Sequence, residues 1–328
     1  MHFLVPALVL TMGLVGVSFN AEAVALTDSD TLPPEWTTAT LPGAQAGVAL
    51  SVLQRTALAP PARYRVVVVP GSGCTGWAPA ATRYFAGLLH AELLVLHKPG
   101  VDINAGLAAK CPPEFVAHDT LSSWRDHAQA ALQAHFTPSP TSHPKSPELP
   151  VLLVGISEGA ELLPTLADSV PGLAGVVMLS APGLDPRDAG ELQARRLGQG
   201  AAWQALQEAQ ASDERADHWV EGRTLAYWRD FWHWQLAQPL LTAHWPLLRV
   251  WGDGDEFVAL AAYLRFGVLA QTRAADFCDL RLSGANHGLQ SELPDQRDGV
   301  QWLWLRLEAW ARRPTPGLCT SVSDSLYR

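Results

Sequence analysis

The chain has 328 residues, 48% hydrophobic and 17% charged, which is enough for one large α/β domain or two small ones. Its formal net charge of −9, without any basic stripe, excludes nucleic acid as a partner. No internal repeat is evident.

Residues 1–25, MHFLVPALVLTMGLVGVSFNAEAVA, hold an apolar stretch from Phe3 to Val17 followed by small residues, which reads as a signal peptide cleaved after Ala23 or Ala25. The apolar run is short for a membrane span and carries Pro6, Gly13 and Gly16, so no stable span is expected after cleavage. The n-region has no Lys or Arg, which keeps an uncleaved anchor as the alternative. The mature chain is expected in the periplasm or outside the cell.

After the leader, TLPPEWTTATLPGAQ is a Pro-rich extended lead-in, GVALSVLQR alternates as a strand, and YRVVVVPGSGCTG is a β-branched strand running into glycines. APAATRYFAGLLHA has helical spacing and ELLVLHKPGVD is the next strand. DTLSSWRDHAQAALQAHF reads as a helix capped by Asp119 or Ser122, and TPSPTSHPKSPELP as a surface loop before the central strand VLLVGIS. A helix is expected from Glu158 to Asp168, then the strand LAGVVMLSAPG. From Pro182 to His244 there is no strand signal, only helical stretches such as ELQARRLGQGAAWQALQEAQ and TLAYWRDFWHWQLAQ. This divides the chain into a first core part at 26–181, a helical cap at 182–245, a second core part at 246–313 and a polar tail at 314–328. The second part reads as the strand PLLRVWGDGDEFV, the helix ALAAYLRFGVLA, the strand DFCDLRLSGANHG and the helix RDGVQWLWLRLEAWARR. Unbroken Val/Leu strands alternating with helices predict an α/β fold with a mostly parallel central sheet covered by helices on both faces. In such sheets the chemistry lies beyond the carboxyl ends of the strands.

Cys74, Cys111, Cys278 and Cys319 form an even set without a C-x-x-C pair, which speaks against zinc and for disulfides in an oxidising compartment. Of the three pairings, Cys74–Cys111 and Cys278–Cys319 tie sequence-near loops, and the second would pin the tail. Four free, buried thiols are the alternative.

Gly155-Ile156-Ser157-Glu158-Gly159 matches G-x-S-x-G where a buried strand gives way to a helix, a turn that exposes a serine hydroxyl and excludes side chains at both glycines. A serine hydroxyl needs a neighbouring base. His287, after the last strand in LSGANHGL, fits best; His97 also ends a strand but precedes the serine and could line the mouth. The carboxylate that orients the imidazole is sought in VWGDGDEFV, which offers Asp253, Asp255 and Glu256, although turn chemistry alone accounts for Gly-Asp-Gly-Asp. Asp255 is chosen, with Asp185 of LSAPGLD as runner-up.

The order Ser157, Asp255, His287 on this strand–helix pattern resembles the α/β-hydrolase fold superfamily, from Val48 to Arg313. In that family the pattern G-x-x-D-x-x-V carries the acid at its fourth position, which implies Asp255 rather than Asp253 in Gly252–Val258. The resemblance also implies an oxyanion hole made by the backbone N–H of Glu158 and by the loop Pro70-Gly71-Ser72-Gly73-Cys74. Pro70-Gly71 stands where many members have His-Gly, so the alignment points to the Ser72 amide, with Gly73 next. The loop has no Lys and matches no nucleotide fingerprint.

What the resemblance implies is a serine hydrolase that cleaves a small or medium acyl ester through an acyl-enzyme, without metal or organic cofactor. The alternatives are a peptidase or amidase on the same residues, a non-catalytic binding protein, and a lyase or transferase. Two features bear on substrate. Trp203, Trp219, Trp228, Trp232, Trp234 and Trp245 in the cap are read either as an apolar wall for an acyl or aryl group or as packing that holds the cap to the sheet. Glu158 and Glu161 are read either as partners for a substrate cation, such as a free amino terminus, or as first-turn acids complementing the helix dipole.

Overall fold

A computed structural model describes residues 32–106, 110–137, 149–291, 298–314 and 317–319. The expected leader, most of the Pro/Ser-rich loop (138–148) and the end of the tail (320–328) lie outside the described residues. The first part runs β1 (Trp36–Pro42), β2 (Ala49–Arg55), β3 (Tyr64–Val69), α1 (Ala78–Tyr84), β4 (Ala91–Leu96), α2 (Pro113–His118), α3 (Leu121–Phe136) and β5 (Val151–Ile156). A 3₁₀ turn (Ser157–Leu162), α4 (Leu163–Ala167) and β6 (Leu173–Leu179) complete it. An interval follows with α5 (Pro186–Arg196), α6 (Gly200–Ala211), the ribbon β7 (Trp219–Val220) and β8 (Arg223–Thr224), α7 (Leu225–His233) and α8 (Ala237–Thr242). The chain then returns through β9 (Leu247–Gly252), α9 (Leu260–Leu269), β10 (Phe277–Leu282) and α10 (Gly299–Arg312).

Eight strands form one sheet in the order β1-β2-β4-β3-β5-β6-β9-β10. Only the β1–β2 and β2–β4 pairs are antiparallel. The Val/Leu runs explain why it is covered twice. In β3, Val67 and Val69 enter one apolar cluster while Val66 and Val68 enter the other; in β5, Val151 and Leu153 alternate with Leu152 and Val154 in the same way. Side chains alternate across a strand, so an unbroken apolar run puts grease on both faces and each needs a helical layer.

Four local expectations are corrected. The lead-in is not merely extended: WTTATLP pairs over its whole length with β2, from Trp36↔Arg55 to Pro42↔Ala49. Its threonines suit a half-exposed edge strand, Pro42 is tolerated at its end, and buried Trp36 anchors it by donating Nε1–H to Thr82 Oγ1 at 3.0 Å. The interval is not wholly helical, because β7 and β8 pair through Trp219↔Thr224 and Val220↔Arg223. The cap of α3 is neither Asp119 nor Ser122 but Thr120, whose side chain accepts from the Ser123 N–H at 3.1 Å. The helix expected from Glu158 to Asp168 begins as the 3₁₀ turn, with α4 only from Leu163.

At the amino-terminal end of the parallel strands, α10 is tied down by one carboxylate. Glu308 Oε1 accepts from Tyr64 Oη and from the His90 N–H, both at 2.8 Å, and its Oε2 lies 2.7 Å from His90 Nδ1. Disulfides join Cys74 to Cys111 and Cys278 to Cys319, across sequence separations of 37 and 41. The first closes the loop that follows β3; the second fastens the chain after α10 to β10.

Candidate active site

Ser157 follows the last residue of β5 and has φ 51°, a left-handed backbone that a non-glycine residue adopts at a cost of about 1–3 kcal/mol. The turn is possible because its glycines are bare. A Cβ at Gly155 would stand 2.5 Å from Ala160 Cα, and one at Gly159 would overlap the carbonyls of Val69 and Pro70. The hydroxyl is thereby lifted above the carboxyl end of the sheet.

His287 comes from the loop after β10. Its Nε2 is 3.1 Å from Ser157 Oγ and its Nδ1 is 2.8 Å from Asp255 Oδ2. Asp255 sits in the turn after β9, where its Oδ1 accepts from the N–H groups of Phe257 (2.8 Å) and Val258 (2.9 Å). Its Oδ2 also accepts from Tyr263 Oη on α9, at 2.7 Å. Burial, then the neighbouring carboxylate, pushes the Tyr263 phenol well above its ordinary value, so it stays a donor. The imidazole loop is held at its backbone: Glu256 Oε2 accepts the His287 N–H at 3.1 Å, and Ser180 Oγ donates to the His287 carbonyl at 2.5 Å.

The other acids do different work. Asp253 faces Arg281 at 2.7 Å, and Asp185 Oδ1 accepts from the Leu236 and Ala237 N–H groups at 2.7 and 2.8 Å, holding the chain into α8. His97 is buried with both ring nitrogens engaged: Nδ1 is 3.1 Å from the Ser51 carbonyl, and Nε2 accepts the Trp77 N–H at 3.1 Å. Burial lowers its pKa to about 4, so it is neutral.

Two cavities meet over Ser157 and share Ser72, Ser157, Ser180 and His287. The larger, about 370 Å³, is walled mainly by apolar side chains including Trp77, Tyr84, Val101, Leu179 and Leu289. The smaller, about 120 Å³, is lined by Glu158, Glu161, Tyr227, Phe231, Phe257 and Val258 among others. Ser72 lines both cavities and Gly73 only the larger. None of the interval tryptophans expected near the substrate lines either one. They pack instead: Trp203 stacks on Trp232 at 4.8 Å, Trp228 donates to the Val220 carbonyl, and Trp234 donates to the Glu161 carbonyl. Trp219 is 49% exposed.

Beside the smaller cavity lies a buried ionic cluster that sequence reasoning missed. Lys98 Nζ bridges Asp119 Oδ1 (2.7 Å) and Glu158 Oε1 (2.5 Å). Arg223 pairs with Asp119 Oδ2 and lies 3.8 Å from Glu158 Oε2, which also accepts from Tyr227 Oη at 2.9 Å. Burial alone would raise the Glu158 pKa, but Lys98, Arg223 and the hydrogen bonds from Lys98 and Tyr227 outweigh it and hold the carboxyl below its usual range. Glu158 therefore serves its own chain's cations. The remaining carboxyl, Glu161, is pushed the opposite way, well above its ordinary value, first by burial and then by the Glu158 charge. Among the described residues, no group of three or more His, Cys, Asp or Glu side chains could hold a metal ion.

The chain matches solved structures along most of its length. A mouse α/β-hydrolase domain-containing protein superposes with TM-score 0.54 at 15% identity, covering 85% of this chain and 99% of that one. The chain has the α/β-hydrolase fold. An esterase domain from a Rhodothermus marinus protein (TM-score 0.52, 17% identity) and Est1E from Butyrivibrio proteoclasticus (TM-score 0.53, 13% identity) each cover 85% of this chain and are themselves 98% covered. No protein-family profile matches the chain, and no curated protein matches it.

Proposed function

We propose that this protein is a serine hydrolase that cleaves a small or medium acyl ester, with Ser157 as nucleophile, His287 as general base and acid, and Asp255 as the carboxylate that orients the imidazole. The observation that carries the reading is the relay Asp255 Oδ2–His287 Nδ1 at 2.8 Å and His287 Nε2–Ser157 Oγ at 3.1 Å, opening on two cavities. His287 takes the Ser157 proton as Oγ attacks the acyl carbonyl, then returns it to the leaving alcohol; a water deprotonated by His287 releases the acid. The backbone N–H of Glu158 and that of Ser72, with Gly73 next, are the proposed oxyanion donors. Glu158 is the second residue of a 3₁₀ turn, where the first amides have no intrahelical acceptor, and Ser72 lines both cavities together with Ser157.

In the same reading, residues 182–245 form a cap over the site, and α7 supplies Tyr227 and Phe231 to the smaller cavity. Two disulfides, together with the apolar leader, support export, and no helix among the described residues is long and apolar enough to cross a membrane. The larger, mainly apolar cavity supports a substrate with an apolar or aromatic portion.

The test is a fluorophosphonate probe on the purified mature protein, with the adduct located by peptide mass. Labelling at Ser157 that disappears in Ser157→Ala is the expected result. A folded wild type that stays unlabelled would favour a non-catalytic binding protein. Parallel assays with matched p-nitrophenyl esters and p-nitroanilides then separate an esterase from an amidase.

A further inference from the structure

Of the two carboxyls that line the smaller cavity, Glu158 and Glu161, only Glu161 has no partner among the described residues. Its Oε2 is sealed from solvent and meets no donor among the described residues, yet the side chain lines the chamber that opens on Ser157. The neighbouring charges do not supply its counter-ion. Lys98 and Arg223 are matched one for one by Asp119 and Glu158, with each of the four in an ion pair. A half-buried carboxyl left over from a neutral cluster is costly as a charge, and it either keeps its proton or meets a cation or strong donor brought from outside. The remaining groups facing it are compatible with that. His287 lies across the chamber on Asp255, Tyr227 Oη is already given to Glu158, and the Phe231 ring adds an aromatic wall of the kind that attracts ammonium groups.

The geometry points to Glu161 as a specificity-determining residue that receives a primary ammonium group of the substrate in the smaller chamber, leaving the larger chamber for the apolar portion. What that ammonium is attached to rests on the serine-hydrolase reading: an ester, or amide, with an aminoalkyl or aminoacyl end. Burial and the Glu158 charge both raise the Glu161 pKa, so the empty site favours the protonated carboxyl more than water does. An ammonium partner favours the carboxylate, so binding follows a defined balance: wherever Glu161 carries its proton, the carboxylic acid and the incoming ammonium form a carboxylate–ammonium pair and that proton passes to solvent.

The probes are n-propylammonium to n-hexylammonium and the primary alcohols of the same chain lengths, titrated calorimetrically into wild type and Glu161→Gln. Wild type is expected to bind the best ammonium about tenfold or more tighter than its alcohol, a charge-assisted pair against a neutral one. Titrated from pH 8 down to pH 4, its binding enthalpy should also come to depend on buffer ionisation enthalpy as a proton is released. In Glu161→Gln both the preference and the proton release should vanish. Equal affinity for ammonium and alcohol in wild type, or a preference that persists undiminished in Glu161→Gln, overturns the assignment. Fluorophosphonate labelling of the same samples keeps the two readings apart. Labelled Ser157 without ammonium preference removes this inference alone, whereas the preference without labelling removes the hydrolase reading and leaves a cation site.

Discussion

Two buried polar clusters flank Ser157, and they are built on opposite rules. On the His287 side, polar atoms are matched within the protein: Asp255 accepts four contacts, from two backbone amides, a phenol and the imidazole. On the Glu161 side, four charges cancel and a fifth group is left over. The first cluster is finished before any substrate arrives; the second is complete only with something added. The difference teaches where to look for chemistry and where to look for selectivity.

The largest expected effect breaks the finished side. Ser157→Ala and His287→Ala should each lower kcat by about 10⁴–10⁶-fold on an activated ester, because these groups act as a unit; steady-state assays at saturating ester decide it, and a loss under tenfold would sink the assignment. Asp255→Asn comes next. An amide in place of the carboxylate favours the wrong imidazole tautomer, and a fall of about 10⁴-fold in kcat with the fold retained is expected, read from kinetics beside circular dichroism.

Stability sharpens the other side. Arg223→Met leaves Asp119 with only Lys98 in a buried site and should cost about 3–5 kcal/mol, whereas Arg281→Ala, which breaks the more exposed pair with Asp253, should cost less than about 1 kcal/mol. Urea unfolding of the two variants measures the gap, and equal costs would contradict a buried ionic cluster.

The smallest effect has a sign as its signature. Glu158 is held below its ordinary value of 4.5, so its contribution to stability is present above pH 4.5 and is lost as pH falls through its folded value. Glu161 is raised above 4.5, so its contribution is full below pH 4.5 and is lost as pH rises through its folded value. Accordingly Glu158→Gln should be less stable than wild type at pH 7 and Glu161→Gln more stable, with both differences shrinking in acid. Thermal unfolding between pH 2 and pH 8 checks this, and a Glu161→Gln variant destabilised at pH 7 would count against an unpartnered carboxyl.

The finished side was legible in the sequence because each of its residues sits next to a strand end that is itself a recognisable apolar run. Ser157 closes VLLVGI, Asp255 follows LLRVWG and His287 follows FCDLRL, so periodicity placed all three at strand ends, and the family resemblance favoured Asp255 over Asp253. The ionic cluster was not legible. Lys98 and Asp119 are 21 positions apart and Arg223 and Asp119 are 104 apart, and nothing local marks a lysine or arginine that will be buried. The same cluster explains a smaller miss: Asp119 has the chemistry of a helix cap but is drawn into the ion pairs, and the cap passes to Thr120. β1 escaped notice because an edge strand rich in threonine has no core-facing run to betray it, and Glu161 was readable as a partner for a substrate cation or as an acid of the first turn, because the choice depends on what the interval helices bring over it.

Glu308 sits at the opposite end of the parallel strands from Ser157, gathering Tyr64 and His90 where β3 and β4 begin. A fastening at the foot of the sheet leaves the rim free to change. New loops can be tried around Ser157, by drift or by design, while the clasp beneath keeps the last helix seated, so the scaffold can outlast many substrates.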